Sequence, residues 1–164
     1  MKKFLLCFVY AARGVWHCLR CERNFRFHLT AAAYVLALAT RFPLTRAEWA
    51  ALLLVIGLVL SAEAVNTAVE QAVNLASPHR NNRARVAKDV AAGAVLLCAV
   101  TAVSIGTVLF WHPSVWSAII SDLETHPWKV LVLLLSIPPA VLFIVCGGRR
   151  GKPLPSRDTN SSDE

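Results

Sequence analysis

The sequence predicts an all-α polytopic membrane bundle, and three observations carry that prediction. The composition is 56% apolar and only 16% charged, against roughly 45–50% and about 25% in soluble domains. The apolar residues fall in runs long enough to cross a bilayer. The basic residues cluster in alternate connections between those runs, as the positive-inside rule requires. The 164 residues suffice for one domain.

The elements follow in chain order. "MKKFLLCFVYAARGVW" begins with lysines, is interrupted by Arg13 and has no small-x-small cleavage site, so it does not fit a signal peptide. It fits an amphipathic interfacial helix over about 3–25. Spans are expected over about 29–45, 47–75 and 88–111. The first is short and carries Arg41 and Pro43. Residues 114–147 should hold an outer loop and an additional span over about 128–146, kinked at Pro138-Pro139. Residues 148–164 are polar and rich in turn formers, as in a disordered cytoplasmic tail.

Charge orients the spans. Of 17 Lys and Arg residues, 14 fall on one side if the chain crosses four times, with both termini cytoplasmic. The net charge of +7 follows from this, and juxtamembrane basic residues attract anionic headgroups or a nucleotide. They form no separate domain, which argues against nucleic acid as a partner. Trp16, Trp49, Trp111, Trp116 and Trp128 fall near span ends, as an aromatic belt would. The histidines suggest no metal site, and Cys18 and Cys21 form a lone CxxC without a second pair.

The stretch "SAEAVNTAVE" at 61–70 places acids inside an apolar helix. Glu63, Asn66, Glu70 and Asn74 recur at i, i+3, i+7 and i+11, which is one stripe of a helix, with Thr67 beside it. A charge at the bilayer centre costs about 2.5–3.5 kcal/mol on insertion scales, so such residues want partners, water or a metal, and mark function. An inter-helix hydrogen-bond cluster is the bland alternative. Glu22, Arg23 and Arg26 in "CERNFRFH", and Lys88 and Asp89 in "AKDVAAG", should lie near the Glu70 end. Glu63 lies about 10 Å deeper at 1.5 Å per residue. Carboxylates for a metal, cations for phosphate and a deeper carboxylate for an acceptor proton are the parts of phosphoryl transfer. A carboxylate with less water around it accepts an alcohol proton more readily. No GxxxxGK[ST] loop and no protein-kinase motif set is present.

At these residues the chain resembles a known family. "EAVNTAVE" (63–70), "AKDVAAGAVLL" (87–97) and "ERNFRFHL" (22–29) are similar to motifs of the small prokaryotic integral-membrane diacylglycerol kinases and the related undecaprenol kinases. The resemblance runs from about residue 3 to 113, so residues 1–113 would form the lipid-kinase membrane domain. It implies a bacterial inner-membrane homotrimer with active sites shared between subunits at the membrane–cytoplasm boundary. It implies transfer of the γ-phosphate of ATP to a lipid alcohol, diacylglycerol or undecaprenol, with Mg²⁺. By the same resemblance Glu63 would be the general base and Asn66 would position reacting groups. Glu22 and Glu70 would bind Mg²⁺ and, with Lys88, Asp89 and Tyr10, the nucleotide. Lys3, Arg26 and Asn81 would be further nucleotide or lipid contacts. The chain departs from the family at Asn74, where Asp is usual, and in the loop "SPHRNNRAR" (77–85). A proton-relay or transport bundle and a non-catalytic membrane scaffold are the alternatives from other classes.

Overall fold

The computed structural model describes residues 2–77 and 81–146, and for Lys2 and Lys3 the backbone alone. The expected tail over 148–164, and His79 and Arg80 of the altered loop, lie outside the described residues. Among these residues the chain is built from six helices: α1 (Lys2–Cys21), α2 (Arg23–Ala39), α3 (Arg46–Ala76), α4 (Asn82–Leu109), α5 (Pro113–Thr125) and α6 (Pro127–Cys146).

Helix α1 is two-sided. Arg13, His17 and Arg20 share one side at helical spacing, while Phe4, Phe8 and Val15 share the other and stay exposed. Arg13 lies over the Tyr10 ring and Arg20 over the Trp16 ring, at 5.8 and 5.1 Å from the centroids. The helix ends at Glu22, whose backbone is extended with φ −100° and ψ 115°. The interfacial helix is therefore shorter than the sequence suggested, and α2 begins at Arg23, ahead of the expected span start near Leu29. The polar "RNFR" segment opens α2, the Arg26 amide donating to the Glu22 carbonyl at 3.3 Å. Helix α2 stops at Ala39, ahead of Phe42-Pro43, since the residue before a proline is driven out of the helical region.

Helix α3 opens on a capping box: the Thr45 hydroxyl accepts from the Glu48 amide, and the Glu48 carboxylate accepts from the Thr45 amide at 2.7 Å. Its 31 residues extend roughly 46 Å at 1.5 Å per residue, longer than a hydrocarbon core of about 30 Å. Its ends therefore reach water or headgroups. Asn81 caps α4, its side-chain oxygen accepting from the Arg83 amide at 2.9 Å. The expected outer loop instead contains α5, started by Pro113 at the first helical position, where a missing N–H costs nothing. Helix α6 continues through Pro138-Pro139.

By length and apolar composition α1, α3, α4 and α6 can each cross a membrane. Helix α2, with 17 residues, sits at the lower limit for a span. The charged side of α1 suits the membrane surface better than its interior.

Helices α3 and α4 form the most extensive contact, an antiparallel hairpin; α2 packs on α3, α6 packs on α2, and α1 reaches the start of α2 and the far half of α3. At one end the core closes around Ala39, Leu52 and Leu109, with Val35, Trp49, Ile56 and Ile105 against them. The Phe42 ring meets Phe110 at 4.9 Å and Trp116 at 5.5 Å, edge to face. Lipid tails are as apolar as leucine, so between spans such contacts act through packing rather than through removal of water. Polar ties hold α6 to α2. The Tyr34 and Ser136 hydroxyls are 2.8 Å apart. Asp122 of α5 accepts from Lys129 at the start of α6 and from Arg41 after α2.

Two stability measurements check this packing. Leu52 is 2% exposed, so Leu52→Ala should lower stability in mixed-micelle denaturation by about 2 kcal/mol, the low end of the range for buried leucines, because only packing is lost. Lys129, then Arg41 and His126, hold the Asp122 carboxyl below the usual aspartate range. A carboxyl whose folded value is depressed stabilises the fold above its unfolded value, near 3.9, and loses that stabilisation as the pH falls through the folded value. The thermal midpoint should therefore fall on acidification below about pH 4, and Asp122→Asn should remove that component of the fall.

Candidate functional site

One face of α3 builds the site. Its buried residues are Leu52, Val55, Val59, Glu63, Asn66 and Thr67, spaced by three or four except for the final pair. The face is apolar up to Val59 and turns polar at Glu63. Glu63, Asn66 and Thr67 are 4%, 7% and 6% exposed. The predicted stripe is therefore real over its deep part. Towards the end of α3 it emerges, with Glu70 half-buried and Asn74 exposed.

The polar end is covered by the elbow between α1 and α2. Cys18 of α1 is buried and lies against Thr67. His28 of α2 brings Nε2 to 3.7 Å from Glu63 Oε1. Glu22 at the elbow and Glu70 one turn beyond Asn66 are both within electrostatic reach of Glu63. Asn66 sits beside the Glu63 carboxylate, and its side-chain oxygen is buried without a hydrogen-bond partner. A buried acceptor left unpaired is costly, and it is a natural receiver for a donor from outside the chain.

Glu63, Asn66, His28 and Asn24 line a cavity of about 250 Å³, walled on the other side by Val95 and Ala99 of α4. Beside it lies a cleft of about 390 Å³ between α2, α3 and α4. The two share Phe27, His28 and Ala99. His28 is the one ionisable side chain in the cleft's lining, which is otherwise aliphatic, aromatic or glycine. The Glu63 carboxylate thus lines the smaller cavity, and His28 is shared between it and the apolar cleft.

The other sequence-predicted residues divide. Lys88 donates to the Asn74 side-chain oxygen at 2.7 Å, so the neutral Asn74 holds the ammonium without cancelling its charge. Asp89 is exposed and pairs with Arg85 at 3.8 Å, in reach of solvent beyond Glu70. Tyr10 is 60% exposed and stands twelve residues before Glu22, roughly 18 Å along the helix at 1.5 Å per residue. Asn81 is occupied as a helix cap. Arg26 is 1% exposed, with its guanidinium bound to backbone carbonyls, so it neither snorkels to headgroups nor faces a phosphate. The side chain of Lys3 lies outside the described residues.

Among the described residues no group of three or more His, Cys, Asp or Glu could hold a metal ion by itself. That fits Mg²⁺, which takes hard oxygen ligands, commonly one or two carboxylates, and completes its shell with water and substrate phosphates. Glu22 and Glu70 are the carboxylates that the sequence resemblance would give that role, and both are within electrostatic reach of Glu63.

His28, Thr67 and Asn24 were not singled out from the sequence as site residues. His28 and Asn24 lie in the same "ERNFRFH" segment as Glu22, and the one-turn spacings within it were the available signal.

Comparison with known proteins agrees with this geometry. The family model described as prokaryotic diacylglycerol kinase matches residues 9–110. The chain is 42% identical over 110 residues to the undecaprenol kinase of Bacillus subtilis (strain 168), covering 67% of this chain and 89% of that protein. It is 39% identical over 110 residues to the diacylglycerol kinase of Synechocystis sp. (strain ATCC 27184 / PCC 6803 / Kazusa), covering 66% of this chain and 63% of that protein. No solved structure matches the chain. With the match spanning every helix that contributes to the two cavities, the chain belongs to the prokaryotic diacylglycerol kinase family and is a lipid kinase.

Proposed function

We propose that the chain transfers the γ-phosphoryl group of ATP to the hydroxyl of a membrane lipid alcohol, with Mg²⁺ as cofactor. The observation that carries this reading is Glu63, a buried carboxylate beside the unpartnered Asn66 oxygen, lining a cavity that shares His28 with an adjoining apolar cleft. An acceptor lipid would lay its chain in the cleft and present its hydroxyl to Glu63. The proton leaves the hydroxyl for the Glu63 carboxylate, the lipid oxygen bonds to the γ-phosphorus, and the bond from phosphorus to the bridging oxygen of ADP breaks. Asn66 would hold the hydroxyl or the transferring group in line.

Bound Mg²⁺ would neutralise the phosphates, and Glu22 and Glu70 are the carboxylates placed to hold it. Lys88, only neutrally held by Asn74, keeps its charge for a phosphate. Asp89 would contact the nucleotide from its exposed position. Glu70, Lys88 and Asp89 belong to the helix ends on the basic side, which we assign to the cytoplasmic face of the bacterial inner membrane, with both termini on that face.

A homotrimer with sites shared between subunits, as the sequence resemblance implies, would let a neighbouring subunit complete the site. Between acceptors, the name of the B. subtilis relative favours undecaprenol over diacylglycerol. A proton relay is less well supported: α4 beyond Asp89 and α6 beyond Lys129 carry no acidic or basic residue among those described.

The test is phosphate transfer from labelled ATP in detergent micelles containing undecaprenol or diacylglycerol. Transfer to neither lipid by the wild-type chain would overturn the reading. Glu63→Gln should cut kcat about 10²- to 10⁴-fold, the usual value of a general base. It should leave Mg²⁺–ATP protection against thermal unfolding in place. Lys88→Met should raise KM for ATP about tenfold, as expected on losing a charged contact worth roughly 1.5 kcal/mol, with KM for the lipid unchanged.

A further inference from the structure

The matched family region ends at residue 110, so α6 lies beyond it. Yet α6 reaches back to the elbow at Glu22. The link is Arg26, in the second turn of α2. Its Nη1 donates to the Leu19 and Arg20 carbonyls at 3.2 and 3.0 Å, two of the last carbonyls of α1. Its Nε and Nη2 both donate to the Ile144 carbonyl in the last turn of α6, at 3.3 and 3.0 Å. One guanidinium therefore closes the C-terminal ends of two helices, whose final carbonyls have no partner within their own helix. Its positive charge also suits both helix C-termini.

The register of α6 is built for this contact. Arg26 and Tyr34 lie eight residues apart in α2, and Arg41 follows seven residues later, just beyond its end. Running the opposite way they meet Ile144, Ser136 and Asp122, the last also bound by Lys129. The outer and middle ties bring the Ile144 carbonyl to Arg26. Without it, half of a guanidinium that is 1% exposed would be unpaired, a costly state that the side chain would leave by moving. Movement would release the α1 carbonyls too, and with them the single residue, Glu22, that joins α1 to α2. Arg26 already receives the helix at this point, its amide donating to the Glu22 carbonyl at 3.3 Å.

We propose that α6, acting through Arg26, is a positioning element of the catalytic site: it fixes the α1–α2 elbow and thereby the Glu22 carboxylate. This rests on the reading of Glu22 as part of the Mg²⁺–nucleotide site. Arg26 is a positioning residue and touches no reactant. The added helix is thus part of the working site, and not only a further anchor.

The experiment uses the full chain and measures equilibrium binding of a fluorescent ATP analogue as Mg²⁺ is titrated, with the thermal midpoint recorded without nucleotide. Val145→Pro turns the Ile144 carbonyl away, because a residue preceding proline is driven from the helical region. Val145 is exposed and next to last in α6, so the change, including loss of the Val145 amide's helical bond to the Val141 carbonyl, stays within the last turn. Val145→Ala makes a control that keeps the helix. Arg26→Lys keeps the charge but loses the fork. Val145→Pro and Arg26→Lys should each raise the Mg²⁺ concentration for half-saturation about tenfold, in the range seen when the support of a metal ligand is removed. Val145→Ala should match the wild type. Wild-type half-saturation in Val145→Pro overturns the inference, even if Arg26→Lys fails to fold. Glu22→Gln separates the two levels: if it binds the analogue with unchanged Mg²⁺ dependence, the reading of Glu22 itself falls, and the inference with it.

Discussion

A carboxylate below the surface of a membrane must be sheltered by protein, and the arrangement of this chain follows from sheltering Glu63. Hydrocarbon offers an ionised group neither water nor hydrogen bonds, so Glu63 can exist only on a face covered by other helices. Helix α3 supplies that face as a continuation of its apolar packing stripe, Leu52, Val55 and Val59 leading into Glu63 and Asn66. Helix α4 closes one side. The α1–α2 elbow closes the other, with Cys18 over Thr67 and His28 against Glu63. The far end of the bundle, sealed by Phe42, Phe110 and Trp116, needs no polar cover and has none in its core.

On the proposed reading the same face would sort two incompatible reactants by depth. A nucleotide triphosphate stays in water and a lipid alcohol stays in hydrocarbon, so a kinase for both needs a graded site. Along α3 the gradient is carried by four residues: Asn74 exposed, Glu70 half-buried, Asn66 and Glu63 buried. Helix geometry does this without any loop, since each turn of 5.4 Å moves a side chain one step deeper on the same face. A P-loop, which cradles phosphates with backbone amides, would be hard to satisfy at this depth because its polar backbone would face lipid. Side-chain carboxylates and lysine on unbroken helices avoid that cost.

How much of this was legible in the sequence depended on the kind of signal. Spans α3, α4 and α6 were readable because an apolar run and a helix obey the same periodicity. The Glu63–Glu70 stripe was readable because i, i+3 and i+7 spacing fixes a face before any fold is known. The end of α1 was not readable: Glu22 breaks the helix in a stretch with neither Gly nor Pro, and what holds the break is Arg26 binding carbonyls from two other helices. Tertiary contacts of that kind leave no local mark. Helix α5 was missed for a different reason, since its length of 13 residues is too short for a span and its sequence is too mixed in polarity to stand out. His28 was set aside because a lone histidine near a helix start has many uses, and only the fold places it at Glu63.

Arg26 shows why chemistry and position can point opposite ways. From the sequence an arginine four residues after Glu22, beside phosphate-binding candidates, reads as a phosphate or headgroup contact. The fold gives it four hydrogen bonds to three carbonyls and almost no exposure. Had its charge faced a ligand, the ends of α1 and α6 would each carry unpaired carbonyls at the membrane boundary. A guanidinium can close both because its donors point in two directions from one plane, which an ammonium cannot copy. The acids of the candidate site would then stand about a junction that holds still, and on the proposed reading Arg26, which would have been counted among the ligands, is what keeps it so.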